Sequence, residues 1–317
     1  MRAWLVLAGL MLAVLSIPSY ATSGDPWTAH YMWRRYYNTT APCDKADDKA
    51  AYLCTGIIFR GTRPGEAKHV WWPEDKSIST SSVSHGGVSF SYMRSDIPTP
   101  SGAYWYPNGY TLYPQLGKYA APASKIKLDV LCAYPMDGST DSRANAGCGT
   151  RPDFAISSKA CDEQGIKTAA QWMNKYPTPN KAIICGFNMK SQTKAAFEPV
   201  LEIMRTRGKE SGPGMPSYDE LRIKTWPAND ATSKVFPIES FFYAAGNATG
   251  LKNARGDQAD FYHSTGQFVP IIKITFPTTR SGKFDFTYEP ADQNVPVPAQ
   301  PAKDPLPCDK DGFDKVC

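Results

Sequence analysis

"GIIFRGTRPG", residues 56–65, is the stretch on which the fold turns. Ile57, Ile58 and Phe59 make an apolar run of strand length, and Gly61, Pro64 and Gly65 prevent a helix from continuing it. The run is therefore a short buried strand that ends by presenting Arg60, a permanently charged planar fork, at its tip. A strand-end arginine is most often an ion-paired surface residue. The rest of the chain must supply any other reason for it.

Upstream, "MRAWLVLAGLMLAVLSIPSYA" has a basic start, an apolar run from Trp4 to Ile17 and a small-residue cleavage site. It reads as a secretory signal peptide over residues 1–21, which leaves an expected mature chain of 296 residues. No later stretch approaches the roughly 18 apolar residues of a membrane span, so stable membrane insertion is not expected. The formal charge of +5 falls to +4 with Arg2, and the signs are interspersed. No polybasic footprint for nucleic acid is present. A hydrophobic fraction of 42% suffices for a substantial core. The expected organisation is one domain over residues 22–289 and a Pro-rich tail over 290–317.

Eight cysteines in an exported chain imply disulfides. Sequential pairing is the simplest assignment, although spacing alone does not decide it. With no CxxC, zinc-ribbon and thioredoxin-like chemistry are both disfavoured.

Downstream, strands are expected near residues 77–82, over "KIKLDVLCAY" (125–134, apolar at alternate positions), "ELRIKTW" (220–226), "VFPIESFFY" (235–243) and "FVPIIKITFP" (268–277). Helical patterns occupy "EQGIKTAAQWMNKY" (163–176) and "KAAFEPVLEIMRTR" (194–207), with Pro199 starting or kinking the second. A helix is also expected in "DPWTAHYMWRRYYNTT" (25–40), with Pro26 in its first turn, and a short one around "DQADFY" (257–262). The class is α+β.

Three features recur in an informative order. Phe59-Arg60 is followed by Arg63-Pro64; "SISTSS" (77–82) centres on Ser79, Thr80 and Ser81; and Glu220 opens a strand after a glycine-rich loop. This order resembles the Arg / Ser-Thr-Ser / Glu pattern of the cholera- and pertussis-type ADP-ribosylating toxins. Over most of the mature chain the sequence looks most similar to the halovibrin group of secreted NAD glycohydrolases and ADP-ribosyltransferases. Ser79 stands 19 positions after Arg60, a shorter interval than in the toxins, and Thr62 stands near where they place an Asp.

The resemblance implies an ADP-ribosyltransferase-like fold: two packed mixed sheets with flanking helices, stabilised by disulfides. It implies a secreted, bacterial enzyme that uses NAD as substrate, requires no metal, and has water or a host protein side chain as acceptor. Glu220 would be the catalytic carboxylate, Ser79 and Ser81 would orient it, and Arg60, Ser79 and Thr80 would bind NAD. Cleavage of the nicotinamide–ribose bond develops oxocarbenium character, which a carboxylate stabilises. Arginine-modifying toxins carry a second Glu two residues before the catalytic one. Here Tyr218 occupies that position, and Asp219 falls on the opposite strand face, so hydrolysis is the expected main outcome.

Other chemistries find less support. GxSxG and HExxH are both absent, and His30, His69, His85 and His263 are scattered. His85, beside Gly86-Gly87, reads more readily as a turn residue than as a ligand-facing group. Glu239, inside an apolar strand, is the rival to Glu220, either outward-facing or a second acid. "DKDGFDKVC" lacks the full spacing of a calcium loop. The alternative function is a disulfide-rich carbohydrate- or surface-binding module, motivated by the aromatics of "HVWWPED" (69–75) and "GAYWYPNGYTLYP" (102–114).

Overall fold

The apolar runs are assembled into one twisted platform. A computed structural model describes residues 27–40, 43, 48–62, 69–71, 87–98, 106–117, 128–137, 148, 159–179, 183–207, 219–224, 237–279, 281–291 and 295–297. The expected signal segment, the strand expected at 77–82 with Ser79, Thr80 and Ser81, His85, Tyr218 and "DKDGFDKVC" lie outside the described residues.

Nine strands are described: β1 Ile57–Thr62, β2 Val88–Met93, β3 Asn108–Leu112, β4 Val130–Tyr134, β5 Phe187–Asn188, β6 Glu220–Ile223, β7 Ile238–Ala244, β8 Ile271–Thr275 and β9 Asp285–Glu289. They form a single sheet in the order β5-β4-β6-β2-β1-β3-β7-β8-β9. Among them only β7 and β8 run parallel. The expected two packed sheets are thus joined into one, because β2 pairs with β1 on one edge and with β6 on the other.

Four α-helices are described among these residues: α1 Trp27–Tyr37, α2 Ala169–Lys175, α3 Lys194–Arg207 and α4 Ala248–Thr265. Strand alternation sends residues to two cores. Ile58, Phe90, Tyr92, Tyr110, Leu221 and Phe241 enter the larger core with Phe197, Leu201 and Phe261 of α3 and α4. Ile57, Met93, Phe242 and Ile272 enter the smaller one beneath Met32 and Tyr36 of α1.

Several elements differ from expectation for identifiable reasons. All five residues of β4 are buried, so the half-buried alternation stops at Val130; the strand lies between β5 and β6 and is tied down by Cys132–Cys148. The helix expected from residue 163 starts only at Ala169. Gly165 adopts a left-handed conformation (φ 82°), and Thr168 then forms a capping box with Gln171. Pro199 sits inside α3, whose first turn is capped by the Thr193 hydroxyl accepting from Ala196 N (3.4 Å). The short helix around 257–262 is an 18-residue one, opened by the Asn247 side chain accepting from Gly250 N (2.8 Å) and closed by Gly266.

The disulfides Cys43–Cys54, Cys132–Cys148 and Cys161–Cys185 follow sequential pairing; Cys308 and Cys317 lie outside the described residues. No helix among the described residues is long and apolar enough to cross a membrane.

Candidate functional site

β2 is central to the site because its two faces differ in chemistry. Val88, Phe90 and Tyr92 point into the larger core, and alternation places Ser89 and Ser91 on the other face. On one side of β2 runs β1, which brings Arg60. On the other runs β6, whose first residue is Glu220.

The Arg60 guanidinium donates from Nη1 to the Ser89 carbonyl (2.8 Å). The Ser89 hydroxyl donates in turn to Glu220 Oε1 in a short hydrogen bond. A single residue of β2 therefore links the cation of β1 to the carboxylate of β6. Glu220 is only 2% exposed, an unusual depth for a carboxylate. Next to Arg60, Gly61 is needed sterically: a Cβ there would run into the ring of Tyr106.

β6 is also gripped from β2 just before Glu220. The Ser91 hydroxyl donates to the Asp219 carbonyl (3.1 Å), and Tyr92 N donates to both Asp219 carboxyl oxygens (3.1 and 3.0 Å). Burial pushes the Asp219 carboxyl well above the usual carboxylate range; the Tyr92 amide opposes this, and the nearby Glu220 adds to it. Arg222 pairs with Ser89 in the ladder, shares the Glu220 face and is fully buried, its side chain passing over Gly87.

Arg60 and Glu220 are thus each bonded to Ser89 of β2, Arg60 to its carbonyl and Glu220 to its hydroxyl, whereas Ser79, Thr80 and Ser81 lie outside the described residues. The hydroxyl that bonds Glu220 is that of Ser89, and the Ser91 hydroxyl bonds the preceding Asp219 carbonyl; the sequence pattern singled out neither serine. Their signal was present in "VSFSYM" (88–93), where serines alternate with large apolar residues.

Glu239 is neither outward-facing nor part of this site. Arg35 of α1 engages it bidentately, Nη1 to Oε1 at 2.6 Å and Nη2 to Oε2 at 2.5 Å, with both side chains buried. A register shift explains its direction. Thr111 pairs with Ser240 and Leu112 with Ile238, so Glu239 is the extra residue of a β-bulge.

A further polar cluster lies where α4 meets the ends of β1 and β3. His69 Nδ1 and Trp71 Nε1 both bond to Asp260 Oδ2 (2.8 and 2.7 Å). Asn108 donates to Thr62 Oγ1 (2.8 Å) and to Asp257 Oδ2 (3.3 Å). Burial raises the Asp257 carboxyl to about 7; the Asn108 bond opposes this, and the Asp260 charge reinforces it. Trp71 and Tyr110 are buried, so these two aromatics line the core rather than an open sugar platform. No group of three or more His, Cys, Asp or Glu side chains able to hold a metal occurs among the described residues.

No protein-family model matches the chain, and no curated protein sequence matches it. Function must therefore be argued from the site: a deeply placed carboxylate oriented by a serine hydroxyl, with a guanidinium bonded to the same serine's carbonyl. That combination suits stabilisation of a developing cation beside a bound anion.

Proposed function

We propose that the chain is a secreted NAD-consuming enzyme that cleaves the nicotinamide–ribose bond and acts mainly as an NAD glycohydrolase. The observation that carries this reading is the Arg60–Ser89–Glu220 chain of hydrogen bonds across three adjacent strands. Glu220 stabilises the oxocarbenium-like ribose carbon as neutral nicotinamide departs. Ser89 holds the Glu220 carboxylate in one orientation. Arg60 braces the Ser89 backbone and offers its remaining N–H groups to the phosphates of the dinucleotide. Water attacks the ribose carbon, and ADP-ribose is released. Transfer to a host protein is a secondary outcome and uses an acceptor other than arginine. The three disulfides support export, since such bonds persist in oxidising compartments.

The test is to mix purified protein with NAD and follow free nicotinamide, with agmatine present in a parallel reaction. Nicotinamide release with ADP-ribose as the dominant product is the expected result. No release by folded protein would sink the reading. Agmatine labelling that outpaces hydrolysis would overturn the choice of water as acceptor.

A further inference from the structure

Asp219 makes an unusual use of its two acceptors. In a regular antiparallel ladder the amide of Tyr92 would be bonded by backbone, because Phe90 pairs with Leu221 two positions earlier. Here the Asp219 carboxyl accepts that amide instead, at 3.1 and 3.0 Å. The Asp219 carbonyl is left for the Ser91 hydroxyl, at 3.1 Å. The residue is buried, and the next residue along is Glu220, bonded by the Ser89 hydroxyl. Four consecutive β2 residues therefore hold three consecutive residues at the start of β6: Ser89 holds Glu220, Phe90 pairs with Leu221, and Ser91 and Tyr92 hold Asp219 just before the strand.

We propose that Asp219 is a positioning residue for Glu220: by taking the Tyr92 amide with its side chain, it clamps the start of β6 so that Glu220 meets Ser89. The inference deepens the NAD-cleaving reading and rests on it for the catalytic consequence. Without the clamp, Glu220 is the first residue of a four-residue strand, where fraying begins. A displacement of about 1 Å at a reacting group costs on the order of 10²-fold in rate.

The experiment compares Asp219→Asn with Asp219→Ala in the full chain. Asn keeps an acceptor for Tyr92 N, whereas Ala leaves that buried amide without one. Asp219→Ala is expected to lower kcat by on the order of 10²-fold with KM little changed, and Asp219→Asn to restore kcat to near wild type. A second readout is independent of turnover: the carbon-13 resonance of the Glu220 carboxyl should move in Asp219→Ala and stay in place in Asp219→Asn. An unmoved resonance, or unchanged kcat in Asp219→Ala, overturns the proposal, as does a loss that Asn fails to rescue. If wild-type protein releases no nicotinamide, the functional reading falls, and the resonance alone decides whether Asp219 positions Glu220. Should Asp219→Ala fail to fold, Ser91→Ala removes the other bond to Asp219. It is expected to shift the same resonance, and an unmoved resonance there overturns the proposal.

Discussion

Strands β6 and β7 each bury a glutamate, and the two are held in opposite ways. Glu239 on β7 meets a guanidinium with both oxygens, so its charge is matched where it sits. Glu220 on β6 meets the hydroxyl of Ser89, a dipole that orients the carboxylate without cancelling its charge. Both are 2% exposed, so burial alone does not separate a structural acid from a candidate reactive one. The partner does. A bidentate guanidinium fastens α1 to the sheet, whereas a hydroxyl orients a carboxylate that a developing cation can use.

Removing each charge should expose the difference. Glu239→Gln leaves the buried Arg35 guanidinium facing a neutral amide, and loss of one member of such a pair typically costs about 3–5 kcal/mol. Denaturant unfolding should show that loss, while protein that remains folded keeps its turnover. Glu220→Gln should do the reverse, with stability near wild type and NAD cleavage slower by on the order of 10²–10³. If Glu239→Gln abolished turnover without destabilising the protein, the comparison would break.

Arg60→Lys probes the cation of the site with its charge kept. A lysine lacks the fork that serves the Ser89 carbonyl and a phosphate together. The expected effect is a roughly tenfold rise in KM for NAD, the worth of about one charge-assisted hydrogen bond. Unchanged kinetics would return Arg60 to the ordinary strand-end arginines.

Asp257 sharpens the comparison as another enclosed carboxyl, bonded to the Asn108 amide instead of a guanidinium or a serine. Its raised value, about 7, means that the folded protein holds this proton to higher pH than the unfolded chain does. The stability it contributes is complete below about pH 4 and is lost as pH rises through 7, with a slope of at most about 1.4 kcal/mol per pH unit. Asp257→Asn should flatten that part of the profile in unfolding measurements from pH 4 to 8. A variant with the wild-type slope would show that Asp257 titrates normally.

Legibility in the sequence followed the range of the determining interactions. The strands at 57–62, 238–244 and 271–275 were marked by apolar runs, and the three disulfides kept the simplest order. The length of α4 was obscured by Gly250 and Gly256, although Asn247 and Gly266 marked both ends. Ser89 was overshadowed by the more conspicuous "SISTSS", because a hydroxyl's partner across strands is set by register rather than by local composition. Glu239 could not be assigned from its strand pattern, since a one-residue bulge changes which face it takes.

The order of the strands also bears on how quickly the site comes into being. β7, α4 and β8 are consecutive in the chain and close upon one another within residues 238–275. Ser89 and Glu220 are 131 positions apart, and β6 reaches its neighbours only after long excursions of the chain. Contacts of such high sequence separation carry a large loop-closure entropy and slow the search for the native state. In refolding, the amides of β7 and β8 should therefore gain protection from exchange before activity returns, so that the protein acquires its scaffold first and its chemistry last.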